Sequence, residues 1–388
     1  MRFAGIDIAS QKHVIAIVDE LSHVLTKPTP FHEDASGYER LCRLLGSTDD
    51  VLIAMEATGH YWQNVFGHLV DCGYTACVIN PLRTRRFAQE DLKRAKTDSI
   101  DALGIARFAA QKRPAATPPT DLQTLALRET VQLRERLVQD FGDRLRQLHR
   151  LVDLGFPEFT RMVRTLDSSL ATVLLARYPC AQDFASEQPA KLALLVYDGR
   201  HHVGLELAQA LVEAADASVG RHHHPAFCSH VRILCEDLDL LRRRISELTK
   251  DVAAQVQHHP VASLLTTIDG IGDLTAGQLV ATLGDPSRFR SPAALASYVG
   301  TVPATSHSGL HTPSRAPISP IGNARLRRAL WMPTLTAVEK NPWLRAYYLR
   351  LRGRGKLPKV ALVAAMRKLL VAVYTVAKRR SGFVRQHP

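Results

Sequence analysis

Between residue 286 and the end of the chain there is a single acidic residue, Glu339, against 19 lysines and arginines. That stretch carries a net +18, which leaves −5 for the preceding 285 residues of a chain whose total is +13. A basic excess confined to one end is an electrostatic footprint for nucleic acid, with a membrane surface as the weaker alternative. No apolar run approaches the ~20 residues needed to cross a bilayer, so no membrane partner is expected. The opening MRFAGIDIAS lacks a signal-peptide apolar region and cleavage site,. Six scattered cysteines without a CxxC pair argue against a disulfide framework and for reduced thiols in a cytoplasm,. No fixed-period repeat is present.

What is present begins with strand–helix alternation. RFAGIDIAS, HVIAIVDE and HVLTKPTPF read as three strands, the third ending at its prolines,. DASGYERLCRLLG reads as a helix capped by Asp34 or Ser36, and VLIAMEATG as a buried strand ending in Glu56,. A helix stopped by Gly73, a strand TACVIN closed by Pro81, and a basic helical region to about residue 112 follow,. The order is an α/β, ribonuclease H-like layout with a mixed sheet over residues 1–115. KRPAATPPTD reads as a linker. Residues 116–260 contain two charged helical stretches, predicting coiled-coil arms that pair with each other or with a second subunit. Residues 261–388 are mainly α. There, LLTTIDGIGDLTAGQLVATLG resembles a helix-hairpin-helix turning at Gly270 and Gly272, a device that presents backbone N–H groups to phosphate,.

The chemistry is carried by carboxylates. Asp7 interrupts an apolar strand, where a buried carboxylate is costly without a partner,. Glu56 ends another strand, and in a ribonuclease H-like sheet the first and fourth strands are neighbours. Asp98 and Asp101, three residues apart in KRAKTDSIDALGIARF, share a helix face amid Lys93, Arg94, Lys96 and Arg107,. An isolated Asp pair of this kind is ordinarily a solvated surface. The convergence of four acids requires a counter-charge, which divalent cations supply, and Mg2+ prefers such oxygen ligands. Two metals about 4 Å apart stabilise both the attacking and the leaving oxygen at a phosphodiester.

Other polar clusters carry less. Ser306 and Ser308, in ATSHSGLHT, are ordinary turn residues on composition alone, since a serine nucleophile needs a base or metal to activate it,. The adjacent His307 adds little. RHHHPAFCSH, with His222, His223, His224, Cys228 and His230, fits no common zinc spacing and reads as a solvated loop,. His258 and His259 are weaker still.

Taken together, GIDIASQKH (Asp7), AMEATGHYW (Glu56), KTDSIDA (Asp98, Asp101), IDGIGDLTAGQLVATLGDPSRFRSPAALASYVGTVP, SHSG and ISPIGNARLRRAL resemble the DEDD-type insertion-sequence transposases. That family includes the Piv-type DNA invertases and the bridge-RNA-guided recombinases. The resemblance runs nearly end to end, leaving residues 151–230 without a quotable pattern. It implies a RuvC-like domain joined through a coiled coil to a transposase domain, with Mg2+ held by Asp7, Glu56, Asp98 and Asp101. It implies a serine nucleophile that becomes linked to a DNA 5′ phosphate. The family's serine precedes glycine, which selects Ser308 before Gly309, with Ser306 as the fallback. One departure is that Ser319 is followed by Pro320 and Ile321, where the family usually places a basic residue. Implied partners are double-stranded donor and target DNA, a noncoding bridge RNA, and further copies of the chain, as a dimer that becomes a tetramer on DNA.

Three rivals compete. A Holliday-junction-type endonuclease would use the same acids but needs neither Ser308 nor the long extension. A sugar kinase would explain GIDIAS, yet no second glycine-rich phosphate loop follows. A nucleic-acid-binding regulator without chemistry leaves Asp7 unexplained.

Overall fold

The computed structural model describes residues 1–90, 98–302 and 321–384, with the backbone alone at 90 and 98–100. The chain divides into two compact units, Met1–Thr120 and Asp121–Pro388.

The first unit is a five-stranded sheet with helices on both faces. Its elements run β1 (Arg2–Asp7), β2 (Lys12–Val18), β3 (Val24–His32), α1 (Ala35–Leu45), β4 (Val51–Glu56), α2 (Trp62–Asp71), β5 (Thr75–Ile79), α3 (Pro81–Glu90) and α4 (Asp98–Lys112). The strand order is β3-β2-β1-β4-β5. β1–β2 and β2–β3 are antiparallel, whereas β1–β4 and β4–β5 are parallel. The sheet is therefore mixed, in the element order read from the sequence.

β3 does not end at its prolines. It runs through Pro28 and Pro30 to His32 because it is an edge strand, where a missing N–H breaks no ladder,. Nor is the proline-rich stretch after α4 wholly a free linker. Thr117 N–H bonds Ala76 O at 2.9 Å and its hydroxyl accepts from Val78 N at 2.9 Å, so residues 114–117 lie along β5 and cover that edge,.

Period-two alternation splits the core in two. Ala4, Ile6, Ile53 and Met55 face α1 and α2. Phe3, Leu52 and Ala54 face α4 through Ile105, Ala106 and Ala109.

In the second unit, α5 (Leu122–Gly155) and a later helix, Pro225–His258, are each 34 residues long, about 51 Å at helical rise,. They pair with each other, antiparallel. Arg134 Nε reaches Thr249 at 2.7 Å, Gln255 reaches Thr130 at 2.9 Å, and at the other end Arg144 reaches Asp237 at 2.9 Å. One core joins the start of α5 and the end of its partner to the C-terminal helices; a second joins their other ends to the short helices of residues 156–217.

The predicted helix-hairpin-helix is lopsided. Its first helix is a single turn, Ala262–Leu265, and its second is Asp273–Leu283. Gly270 has φ +96°, and a Cβ there would lie 2.6 Å from Ala337 Cβ, so this glycine serves close helix packing,. The last helix, Pro358–Arg379, corrects the reading that no apolar stretch approaches a bilayer span, since by length and composition it qualifies. Ten of its 22 residues are buried against the C-terminal core, the signature of a core helix.

Candidate metal centre and nucleic-acid site

The first unit brings three of the four predicted acids to one end of one sheet face. Ile6 is the register partner of Met55, so the next residues, Asp7 and Glu56, leave adjacent parallel strands at the same level. Their backbones are thus about 5 Å apart. Alternation sends both side chains to the face that carries Phe3 and Ala54, the α4 face.

Gly5 fixes α4 on that face. A Cβ there would fall 2.2 Å from Ala106 N and 2.3 Å from Ala102 O, so helix backbone lies directly on the strand. Further back along β1, the Arg113 guanidinium stands 5.7 Å from the Phe3 ring centroid. The helix accordingly runs against the strand, with its N-terminal turn toward Asp7. From Gly5 to Asp7 the strand advances about 6.6 Å, and from Ala102 back to Asp98 the helix advances about 6 Å. Asp101 is half-buried, as are Asp7 and Glu56. Asp98 is the first residue of α4, one turn before Asp101.

A neighbour of Glu56, and a buried histidine on the other face of the sheet, carried no signal in the sequence. Thr84, buried on α3, donates its hydroxyl to Glu56 Oε1 in a short hydrogen bond. It follows the Asn80 side chain, which accepts from Leu82 N at 2.9 Å and starts that helix,. His13, fully buried, accepts Ala9 N–H at Nδ1, 3.2 Å away, so its proton sits on Nε2 and is donated to Glu33 at 2.5 Å. Burial works to raise the Glu33 carboxyl, but hydrogen bonds from Asn64 and His13 outweigh it and hold Glu33 below the usual carboxylate range,. The turn after Asp7 is thereby tied to the edge of the sheet. Arg83, Arg85 and Arg86 are exposed on α3 beside Thr84, a basic border to the acids.

Ser306 and Ser308 lie outside the described residues, as do Lys93, Arg94, Lys96, His307 and Ser319. What is described is where that stretch leaves and returns. Gly300 (φ +82°) and Gly322 (φ +122°) touch, such that a Cβ on Gly322 would meet Gly300 Cα at 2.6 Å. Arg327 Nη1 donates to Val299 O at 3.0 Å, and Asn323 caps the next helix, Ala324–Ala329, by accepting from Leu326 N at 3.0 Å. The Gly-Asn pair thus has a structural reason: close approach, then a cap. Beside it opens a cleft of about 490 Å³ lined by Thr301, Arg327, Arg328 and Trp331, among others.

The histidine run is not a ligand cluster. His224 caps the helix Pro225–His258, its Nδ1 accepting from Phe227 N at 3.2 Å, and His222 packs on the Phe227 ring. His223 and His230 are exposed, while Cys228 points inward beside Cys180 and Asp183.

Comparison with known proteins agrees with this layout. Residues 4–157 match the DEDD-type IS110 transposase model, and residues 262–349 match the model described as "Transposase IS116/IS110/IS902 family", so that together they cover more than half of the chain. The "Pilin gene-inverting protein" of Moraxella bovis is 24% identical over 386 residues, 98% of this chain and 97% of its own length. The "Mini-circle putative transposase for IS117" of Streptomyces coelicolor is 27% identical over 406 residues, 99% of this chain and 95% of its own. A DEDD-type domain depends on a divalent metal in general, and the donors described here, all carboxylate oxygens with a hydroxyl steadying one of them, fit a hard cation,. By these matches and the arrangement they cover, the chain belongs to the IS110/IS116/IS902 family of insertion-sequence transposases.

Proposed function

We propose that this transposase cuts and rejoins DNA strands by serine attack, with Asp7, Glu56, Asp98 and Asp101 holding Mg2+ and Ser308 as the nucleophile. The observation that carries the reading is the meeting of Asp7 and Glu56 at adjacent parallel strand ends, under the N-terminal turn of α4. A bound divalent cation supplies positive charge against the charge that builds on a reacting phosphodiester.

The chain's own groups do the rest. Thr84 holds Glu56 in one orientation, and the Gly5 contact sets the height of Asp101. Ser308 Oγ attacks phosphorus; the Oγ–P bond forms as the P–O3′ bond breaks. The serine proton passes to solvent, and the departing oxygen leaves as a 3′ hydroxyl. The 5′ phosphate stays on the serine until a different 3′ hydroxyl reverses the step, which rejoins strands without an external energy source. The Gly300–Gly322 contact closes the base of the segment that carries Ser308.

The substrate is double-stranded donor and target DNA, and a noncoding bridge RNA selects the sequences. The +18 excess of residues 286–388 suits both polyanions,. A RuvC-like domain (1–115) and a serine-bearing domain (261–388), joined by the helical region (116–260), form composite sites between copies in a dimer that becomes a tetramer on DNA.

The test combines purified protein, the element's flanking RNA, Mg2+ and labelled DNA on a denaturing protein gel. A labelled covalent protein–DNA species is expected in wild type and lost in Ser308→Ala and Asp7→Ala. Cleavage by Ser308→Ala without a covalent species, with Asp7→Ala dead, would make the chain a four-acid endonuclease of the junction-resolving kind.

A further inference from the structure

On the opposite face of the sheet, α1 and α2 bring together three residues that strand exchange does not use. Cys42 lies on α1. His68 lies on α2, and Cys72 caps that helix one turn later, its N–H bonded to His68 O at 3.0 Å. Both sulfurs approach the same ring nitrogen: Cys42 Sγ is 3.5 Å and Cys72 Sγ 3.7 Å from His68 Nε2. The three ligand atoms lie within 4.8 Å of one another.

These lengths have a meaning. In a tetrahedral zinc site with Zn–S of about 2.3 Å and Zn–N of about 2.05 Å, the S···N edge is about 3.5 Å. The two thiols come from different helices yet converge on one imidazole nitrogen and on each other, the arrangement a shared cation would use. The His-x3-Cys spacing puts two ligands on one helix face, and Cys42 completes a three-sided cup. Cys72 is exposed, so the cup opens to solvent, which gives an entry path and room for water as a fourth ligand. The Tyr38 ring, 4.7 Å from His68 centroid to centroid, steadies the imidazole. The other sulfur cluster, Cys180, Asp183 and Cys228, lacks both features: it has no imidazole and its two sulfurs are buried.

We infer that Cys42, His68 and Cys72 form a thiolate–imidazole site for a zinc-like divalent cation, clamping α1 to α2 on the face away from Asp7 and Glu56. Zinc binding of this kind adds stability to the fold without entering the reaction.

Cobalt titration of the reduced, untagged full chain tests it, because sulfur ligands give a thiolate-to-cobalt charge-transfer absorption that oxygen ligands cannot. One equivalent of Co2+ should develop that band in wild type, and zinc should bleach it. Cys42→Ser and Cys72→Ser should each abolish it, while Cys180→Ser and Asp7→Ala keep it; its survival in Asp7→Ala separates this site from the acids. In unmutated protein, zinc should slow the reaction of two of the six cysteines with a thiol reagent, a readout that does not depend on any variant folding. The inference is overturned if no band forms, if it survives in both serine variants, or if mild oxidant joins Cys42 to Cys72 in protein that takes up no metal.

Discussion

Gly5→Ala places one methyl group where the backbone of α4 already lies. The added Cβ would stand 2.2 Å from Ala106 N and 2.3 Å from Ala102 O, against an ordinary contact of at least 3.4 Å. Neither atom belongs to a flexible side chain, so the helix must lift by about 1.2 Å or the strand must bend. Overpacking of this kind costs about 1–3 kcal/mol, and more where backbone meets backbone. The same lift carries Asp101 away from Asp7 and Glu56, and a misplacement of about 1 Å at a reacting centre costs on the order of 100-fold in rate. Hydrogen exchange of β1 and β4 peptides across a urea series would report the stability of the first unit, and covalent complex formation would report the rate. Gly104→Ala, in the same helix but with nothing within 4 Å of its added Cβ, is the matched control, expected to gain up to ~1 kcal/mol from helix propensity,. Wild-type stability and rate in Gly5→Ala would refute the placement of α4 over β1, and with it the approach of Asp101 to Asp7 and Glu56.

Thr84→Val keeps the shape at α3 but removes the donor to Glu56; a hydrogen bond to a charged group contributes about 1.5–3 kcal/mol, so metal affinity by calorimetry should fall at least tenfold while Thr84→Ser stays near wild type,. His259 is buried with Nδ1 accepting from Val261 N (3.2 Å) and Ala262 N (3.1 Å), leaving Nε2 to bond Thr124 at 2.9 Å, an arrangement that requires a neutral ring. Burial lowers its pKa, so the unfolded chain binds the proton better; stability at the junction of the two long helices is whole above pH ~6.5 and is lost as pH falls through that value, a slope that His259→Gln should flatten in urea melts,. Glu33 has the opposite sense, its depressed pKa adding stability above the ordinary carboxylate value that disappears as pH falls through the lower folded one, so wild type and Glu33→Gln should converge in strong acid,. Gly322→Ala drives a Cβ to 2.6 Å from Gly300 Cα; the covalent DNA species should be lost while metal binding by the first unit persists, and an unaltered yield of that species would sink the role given to the glycine contact.

The sheet was legible because its information is local. Asp7 and Glu56 each close a short apolar run, and once the strand order is right, parallel pairing puts the two ends side by side. The prolines of β3 misled because whether a strand sits at an edge is decided by the rest of the chain. The pairing of the two long helices was open in the sequence, since the polar partners that fix it, such as Arg134 with Thr249, are 115 positions apart. Thr84 was invisible for a related reason: a threonine in a basic helix carries no mark of the carboxylate 28 residues earlier that it meets. Cys42 lies 26 residues before His68, a separation no local pattern announces, whereas His68 and Cys72 have helical spacing. Ser308 rests on resemblance, because no composition distinguishes a nucleophile from a turn residue.

On the proposed mechanism, both units solve one positioning problem in one way. A carboxylate borne on a long, freely rotating side chain would search many rotamers before meeting its partners, at an entropic cost that grows with each torsion. Here the acids sit at strand ends and on the first turns of a helix, and the distance between those elements is set by backbone contact at Gly5, where Ala102 and Ala106 leave nothing to compress. In the other unit, Gly300 and Gly322, which flank the stretch that holds Ser308, meet by the same kind of backbone contact, with Arg327 fastened to Val299 O beside them. In each case the glycine lies outside the proposed reacting groups, and an added methyl would change geometry without removing any atom of theirs. Separating loss of position from loss of chemistry is therefore possible in this chain, by setting the glycine variants against Asp7→Ala and Ser308→Ala.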